Sequence, residues 1–115
     1  MPQHDPKVTL LQMRDHAREA MELAGGHTRA DLEANRVLEL ALIHLIEVTG
    51  EAANRLPREL RDRYPQIPWA QVVGMRNRLI HGYDSVNRNI VWDTIAVDFP
   101  PLVHALEDVL ASWDE

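Results

Sequence analysis

Residues 68–83 read PWAQVVGMRNRLIHGY. Local signals predict one helix here, starting at Pro68-Trp69 and ending near Gly82. Proline is harmless in a first helical turn, and glycine favours a helix end. Wound at about 100° per residue, Trp69, Val72, Val73, Met75, Leu79 and Ile80 gather on one side, the expected core face. Arg76 and Tyr83 fall within the same arc, and arginine is seldom buried unless paired. Ala70, Gly74, Asn77 and His81 form a second, narrower face of small or polar residues, fit for close approach by another surface. Asn77 and His81 are four apart and so are neighbours on such a helix. Arg78 points away from both.

These residue types carry chemistry. In the last turn of a helix, the dipole favours a protonated His81 imidazole, which suits proton transfer near neutral pH. The Arg76 guanidinium can form paired hydrogen bonds to phosphate oxygens. Asn77 is placed to orient His81 or a phosphate. One chain thus offers a single acid–base group and a single firm anion binder. Cleaving a phosphodiester without a metal needs both a base and an acid. A symmetric dimer that apposes two such helices supplies the pair, and the Ala70–Gly74–Asn77 face suits that apposition.

Helical periodicity extends over the rest of the chain. Asp5-Pro6 starts a first helix that stops at Gly25-Gly26. A second starts at Thr28, with Asp31 three residues on, and runs to about Leu56 before Pro57. Residues 57–67 read as an arginine-rich connection, and residues 84–89 as a loop. A fourth helical segment runs from near Ile90 to about Trp113, with the Pro100-Pro101 pair breaking or kinking it. The expected fold is all-α: an antiparallel four-helix bundle with a proline-kinked last helix. At 115 residues it is expected to be one domain, 1–115.

Cysteine is absent, which excludes disulfides, thiolate metal sites and cysteine nucleophiles and fits a cytoplasmic protein. No leader peptide and no membrane span are expected. A net charge of −6 argues against a general polyanion binder, yet the charge is uneven. Asp93 to Glu115 holds six acids and no lysine or arginine, whereas Arg55, Arg58, Arg61, Arg63, Arg76, Arg78 and Arg88 cluster mid-chain.

Arg76, four residues, His81, one residue and Tyr83 give R-x4-H-x-Y. Together with GEAANRL (50–56), YPQIPW (64–69), Val91-Trp92 and FPPL (99–102), this resembles the HepT-like branch of the HEPN superfamily across most of the chain. The resemblance implies an all-α homodimer with a composite cleft and metal-independent endoribonuclease activity on RNA. Arg76, His81 and Asn77 would be catalytic, with no cofactor and no metal. It further implies a toxin–antitoxin pair in which a cognate nucleotidyltransferase transfers AMP to Tyr83. Arg78, Arg55 and Arg58 are candidates for holding RNA or the partner. An alternative is a non-catalytic subunit that presents nucleotide or substrate to a minimal nucleotidyltransferase. Blander roles stand beside these: an ion pair of Arg76 with Glu47 or Glu51, a helix-capping His81, a buried Asn77 amide, a core Tyr83. His16, His44 and His104 read as structural, and Trp69, Trp92 and Trp113 as core anchors.

Overall fold

The computed structural model describes residues 5–81 and 85–113, and the backbone alone at residues 80, 81 and 85. Asp5 accepts a hydrogen bond from the Lys7 N–H at 2.9 Å and caps α1, Pro6–Ala24. Gly25 ends the helix, and Gly26 follows at φ 82°, in the left-handed region that glycine enters without a side-chain clash. Both ends lie where the sequence puts them.

The second predicted helix is divided. A short α2, Asp31–Ala34, precedes a long α3, Arg36–Arg55. Asn35 separates them with φ −129° and ψ 95°, and its side chain accepts from the Leu38 N–H at 3.0 Å. Asparagine offers the backbone a local alternative to the helical ladder, and here that alternative wins. Ahead of α2, Asp31 accepts from the Thr28 N–H at 2.9 Å, the carboxylate half of the expected cap. That bond, with another from His27, holds the Asp31 carboxyl below its usual range. The predicted connection at 57–67 contains α4, Arg58–Arg63, anchored by buried Leu60.

Helix α5, Trp69–Leu79, starts as expected and ends early. Ile80–His81 (β1) pairs antiparallel with Ser85–Val86 (β2), Ile80 opposite Val86 and His81 opposite Ser85. The Leu79 carbonyl accepts from the Asn87 N–H at 3.1 Å, so the chain has turned back instead of winding on. β-Branched Ile80 and Val86 suit the extended ladder better than another helical turn. His81 is therefore not in the last helical turn, and the i,i+4 neighbour relation to Asn77 does not hold. The expected loop at 84–89 is likewise partly β2, and α6, Arg88–Asp93, starts within it behind a cap in which Asn87 accepts from the Ile90 N–H at 3.2 Å.

From α6 the chain continues through a π-helical turn, Thr94–Asp98, into α7, Phe99–Ala111. Pro100 and Pro101 have no N–H to offer the preceding turn. The expected interruption takes the form of this wide turn, with backbone angles at Asp93, Thr94, Asp98 and Phe99 all remaining right-handed helical.

The elements pack as an all-α helical bundle. α1 lies against α3 and α7, while α5 lies against α3 and α6. Leu10, Met13, Leu42, Ile46, Phe99 and Leu106 are fully buried in one apolar cluster, each contributing about 1.5–3 kcal/mol relative to exposure. Among the described residues, no helix is long and apolar enough to cross a membrane.

One charge sits in this core. Among the described residues Glu39 is the only buried ionisable side chain, 2% exposed. Arg36 Nη1 donates to it at 2.8 Å, and Arg88 Nε donates to its other oxygen. Arg88 opens α6 directly after the β hairpin, so this pair ties the hairpin's return to α3. Burial pushes the Glu39 carboxyl up, but the bonds from Arg88 and Arg36 more than reverse this and hold it below its usual value. A depressed folded-state value means stabilisation that is complete above the unfolded pKa and is lost as pH falls through the folded one. Glu39→Gln should therefore lower stability by about 1.5–3 kcal/mol at neutral pH. Urea titrations should show the gap between parent and variant shrinking as the medium is acidified below the ordinary glutamate range; a gap independent of pH would refute this role.

Candidate active-site groove

The groove begins at a helix crossing. A Cβ added to Gly50 of α3 would stand 3.1 Å from the Val72 carbonyl oxygen of α5. Without one, the two helices approach closely. Around this crossing Gly50, Glu51 and Asn54 of α3 face Val73, Arg76 and Asn77 of α5, enclosing a groove of about 270 Å³.

Arg76 was expected in the core arc. It is instead 58% exposed at the groove, with Nε 4.0 Å from Glu47 Oε2 and Nη1 3.6 Å from Glu51 Oε1. The reason is the position of α5 at the bundle's edge. Only Val72, Met75 and Leu79 are buried from this helix, while Trp69 and Val73 are half-buried. The arc wound from the sequence is wider than the surface that covers it. The anticipated pairing with Glu47 or Glu51 is present with both, at distances too long for hydrogen bonds. Pairs this exposed contribute about 0–1 kcal/mol. They steer the guanidinium without saturating it, so an anion entering the groove displaces little.

Asn77 is exposed and lines the groove beside Arg76. The side chain of His81 and the whole of Tyr83 lie outside the described residues. His81 is located through its backbone alone, in β1, two residues past the end of the helix that carries Arg76 and Asn77. The other arginines go elsewhere. Arg78 donates to the Gln71 carbonyl of its own helix at 3.1 Å, and Arg55 donates to Gln12 of α1 at 3.2 Å. Arg58 lines a separate groove with Arg61, Asp62, Trp69 and Ala70. None of the three borders the Arg76 groove.

Sequence reasoning did not single out Asn54, and it took Glu51 as a possible ion-pair partner of Arg76. The signal was available in GEAANRL: Gly50, Glu51 and Asn54 share one face of a helix at spacings of three and four. An apolar hollow between the end of α1 and the π-helical turn, lined by Met21, Trp92, Ile95 and Pro100 among others, holds no ionisable group. Among the described residues, no three or more histidine, aspartate or glutamate side chains are grouped to hold a metal ion.

Comparison with known proteins gives this geometry a setting. The profile of the family described as "Ribonuclease HepT-like" matches residues 13–109. A relative from Caldanaerobacter subterraneus subsp. tengcongensis that bears an RNase designation is 32% identical over 105 residues, covering 91% of this chain and 94% of its own. A protein of Thermococcus cleftensis named "Probable ribonuclease HepT" is 34% identical over 88 residues, 73% of this chain and 80% of its own. One from Methanocaldococcus jannaschii, also with an RNase designation, is 29% identical over 115 residues, 100% of this chain and 99% of its own. No solved structure gives a significant match. With a half-open groove built around an arginine and an asparagine of the R-x4-H-x-Y segment, and with that profile spanning most of its length, the chain belongs to the HepT-like ribonuclease family.

Proposed function

We propose that this protein is an endoribonuclease toxin that cuts RNA without a metal, at a site completed by a second copy of the chain. The observation that carries the reading is the convergence of Arg76 and Asn77 on one polar groove. In the proposed reaction a ribose 2′-oxygen attacks the adjacent phosphorus while one His81 imidazole removes its proton. The bond from phosphorus to the 5′-oxygen breaks, and a protonated His81 imidazole from the other copy delivers a proton to that oxygen. The products are a 2′,3′-cyclic phosphate and a 5′-hydroxyl. Arg76 stabilises the charge that builds on the phosphorane oxygens, and Asn77 positions a phosphate oxygen.

The second copy would seat on the α5 face of Ala70, Gly74 and Asn77. Support comes from Gly74, where an added Cβ would meet nothing within 4 Å. Its glycine is therefore not demanded by contacts inside this chain. Regulation follows from the same family resemblance. A cognate nucleotidyltransferase would transfer AMP from ATP to the Tyr83 oxygen, releasing pyrophosphate and adding negative charge to the segment that carries Arg76.

Purified protein in chelator should release fragments ending in a cyclic phosphate. His81→Ala should lower kcat about 10²–10⁴-fold and Arg76→Ala about 10²–10³-fold, with melting temperatures near that of the parent. A fully active His81→Ala protein would sink the assignment. For the seam, Gly74→Ala should raise stability by about 0.5–1 kcal/mol through helix propensity, whereas Gly74→Arg should shift sedimentation from dimer to folded, inactive monomer. A Gly74→Arg protein that remains dimeric moves the seam elsewhere.

A further inference from the structure

A second groove lies at the other end of the α5 face, lined by Arg58, Arg61, Asp62, Trp69 and Ala70. We propose that it holds one nucleotide of the RNA strand outside the reacting pair, with its phosphate on Arg58 and Arg61, its base against Trp69, and Asp62 accepting from an amino group of that base. The inference rests on the ribonuclease reading and extends it to a strand-holding subsite.

Charge marks this groove as a place for an anion. In a chain with 18 acids and 12 lysines and arginines, Arg14, Arg18, Arg36, Arg76 and Arg88 pair with carboxylates, and Arg29, Arg55 and Arg78 donate to neutral oxygens. Among the described residues, Arg58 and Arg61 form no ion pair and no side-chain hydrogen bond, although Asp62 shares their groove. Arg61 Nε is the one buried side-chain polar atom there without a hydrogen-bond partner. Burying that Nε without a partner carries a desolvation penalty, and an anion bound at the rest of the guanidinium would offset part of it. Phosphate matches the planar fork of arginine.

The groove wall is also braced by neighbouring groups. Trp69 Nε1 donates to the Tyr64 carbonyl at 2.9 Å, and the Tyr64 ring stacks on Trp113 at 5.9 Å. Leu60, between the two arginines in α4, is buried. An aromatic wall held in place beside two cations is the composition used to grip single strands, by stacking plus phosphate contacts. Asp62 adds an acceptor for exocyclic amino hydrogens, and its negative charge disfavours phosphate alone.

The two grooves border one face of the same helix. Ala70 borders this groove and Asn77 borders the Arg76 groove, and both are exposed on one face of α5. Seven residues of helix separate them by about 10 Å. Two helices crossing at an angle touch at one point and diverge beyond it, so a partner helix seated over Gly74 leaves both ends of the face open. A strand cut at the Arg76 groove can thus extend over the second one.

The test compares substrates of different reach. Arg58→Gln/Arg61→Gln is assayed on a dinucleotide and on a single strand of about ten nucleotides. Binding of a 2′-O-methyl version of the longer strand, which cannot be cut, is measured across a salt series. The variant should raise KM on the long strand at least about tenfold more than on the dinucleotide, and should lower the salt slope by about 0.7 for each phosphate it no longer neutralises. Trp69→Leu should weaken the non-cleavable strand with its salt slope preserved. Equal effects on both substrates, with unchanged binding of the non-cleavable strand, would overturn the subsite and leave the ribonuclease reading intact. A parent that cuts no RNA fails that reading, and binding of the non-cleavable strand then still judges the subsite. If the arginine variant changes only the sedimentation of the protein, the groove contacts a protein surface and the proposal is wrong.

Discussion

The missing side chain at Gly50 is the constraint on which the rest of the site depends. A methyl there would press on the Val72 carbonyl from 3.1 Å, and backbone cannot swing aside as a flexible side chain can. Close approach at that point draws Glu51 and Asn54 of α3 opposite Arg76 and Asn77 of α5. The buried triad of α5, Val72, Met75 and Leu79, then fixes the helix's rotation, because only that rotation removes all three from water. Polar residues of α5 reach the groove because the apolar ones are committed to the core.

A second constraint acts from the far side. The chain leaves α5 at Leu79, pairs Ile80 with Val86 and His81 with Ser85, and returns at Arg88. A carboxylate as buried as Glu39 would be strongly destabilising alone. It persists because Arg36 and Arg88 both donate to it. The R-x4-H-x-Y segment is thus held at both ends, by apolar burial in α5 and by an ion pair at the start of α6. This arrangement suits a site in which Arg76 comes from a helix and His81 from the strand that follows it.

Much of this was legible in the sequence, and the misses have physical causes. Asp5-Pro6, Gly25-Gly26 and Pro68-Trp69 act locally, through groups within a few residues, so their signals survive without tertiary context. Asn35 misled because its neighbours keep helical periodicity while its own side chain takes over a backbone bond. The early end of α5 misled because the competing partner of the Leu79 carbonyl, the Asn87 N–H, lies eight residues away across a reversal. For the site, residue types were readable but surroundings were not. The pairing of Arg76 with Glu47 and Glu51 was readable and is present, yet the exposure of Arg76 follows from how little of α5 its neighbours cover. Of the arginines marked for RNA, Arg55 and Arg78 are engaged by Gln12 and Gln71, contacts no local pattern announces.

The charge distribution resolves an apparent conflict between an acidic chain and a polyanionic substrate. Nonspecific attraction to RNA scales with the field of the whole surface, which here is negative. Binding at a groove depends on the few cations within it and on what already occupies them. The carboxylates near Arg76 sit at 3.6 and 4.0 Å, close enough to orient a guanidinium and too far to saturate its donors. A phosphate approaching that groove displaces few existing bonds but meets repulsion from Glu47 and Glu51, which the paired bonds that arginine favours must outweigh. If the proposed reaction takes place at this groove, weak acidic competition there would work as a filter. It would discourage loose polyanion binding and reward a strand held in register, so that contacts remote from the cut would matter more in this chain than in a basic one.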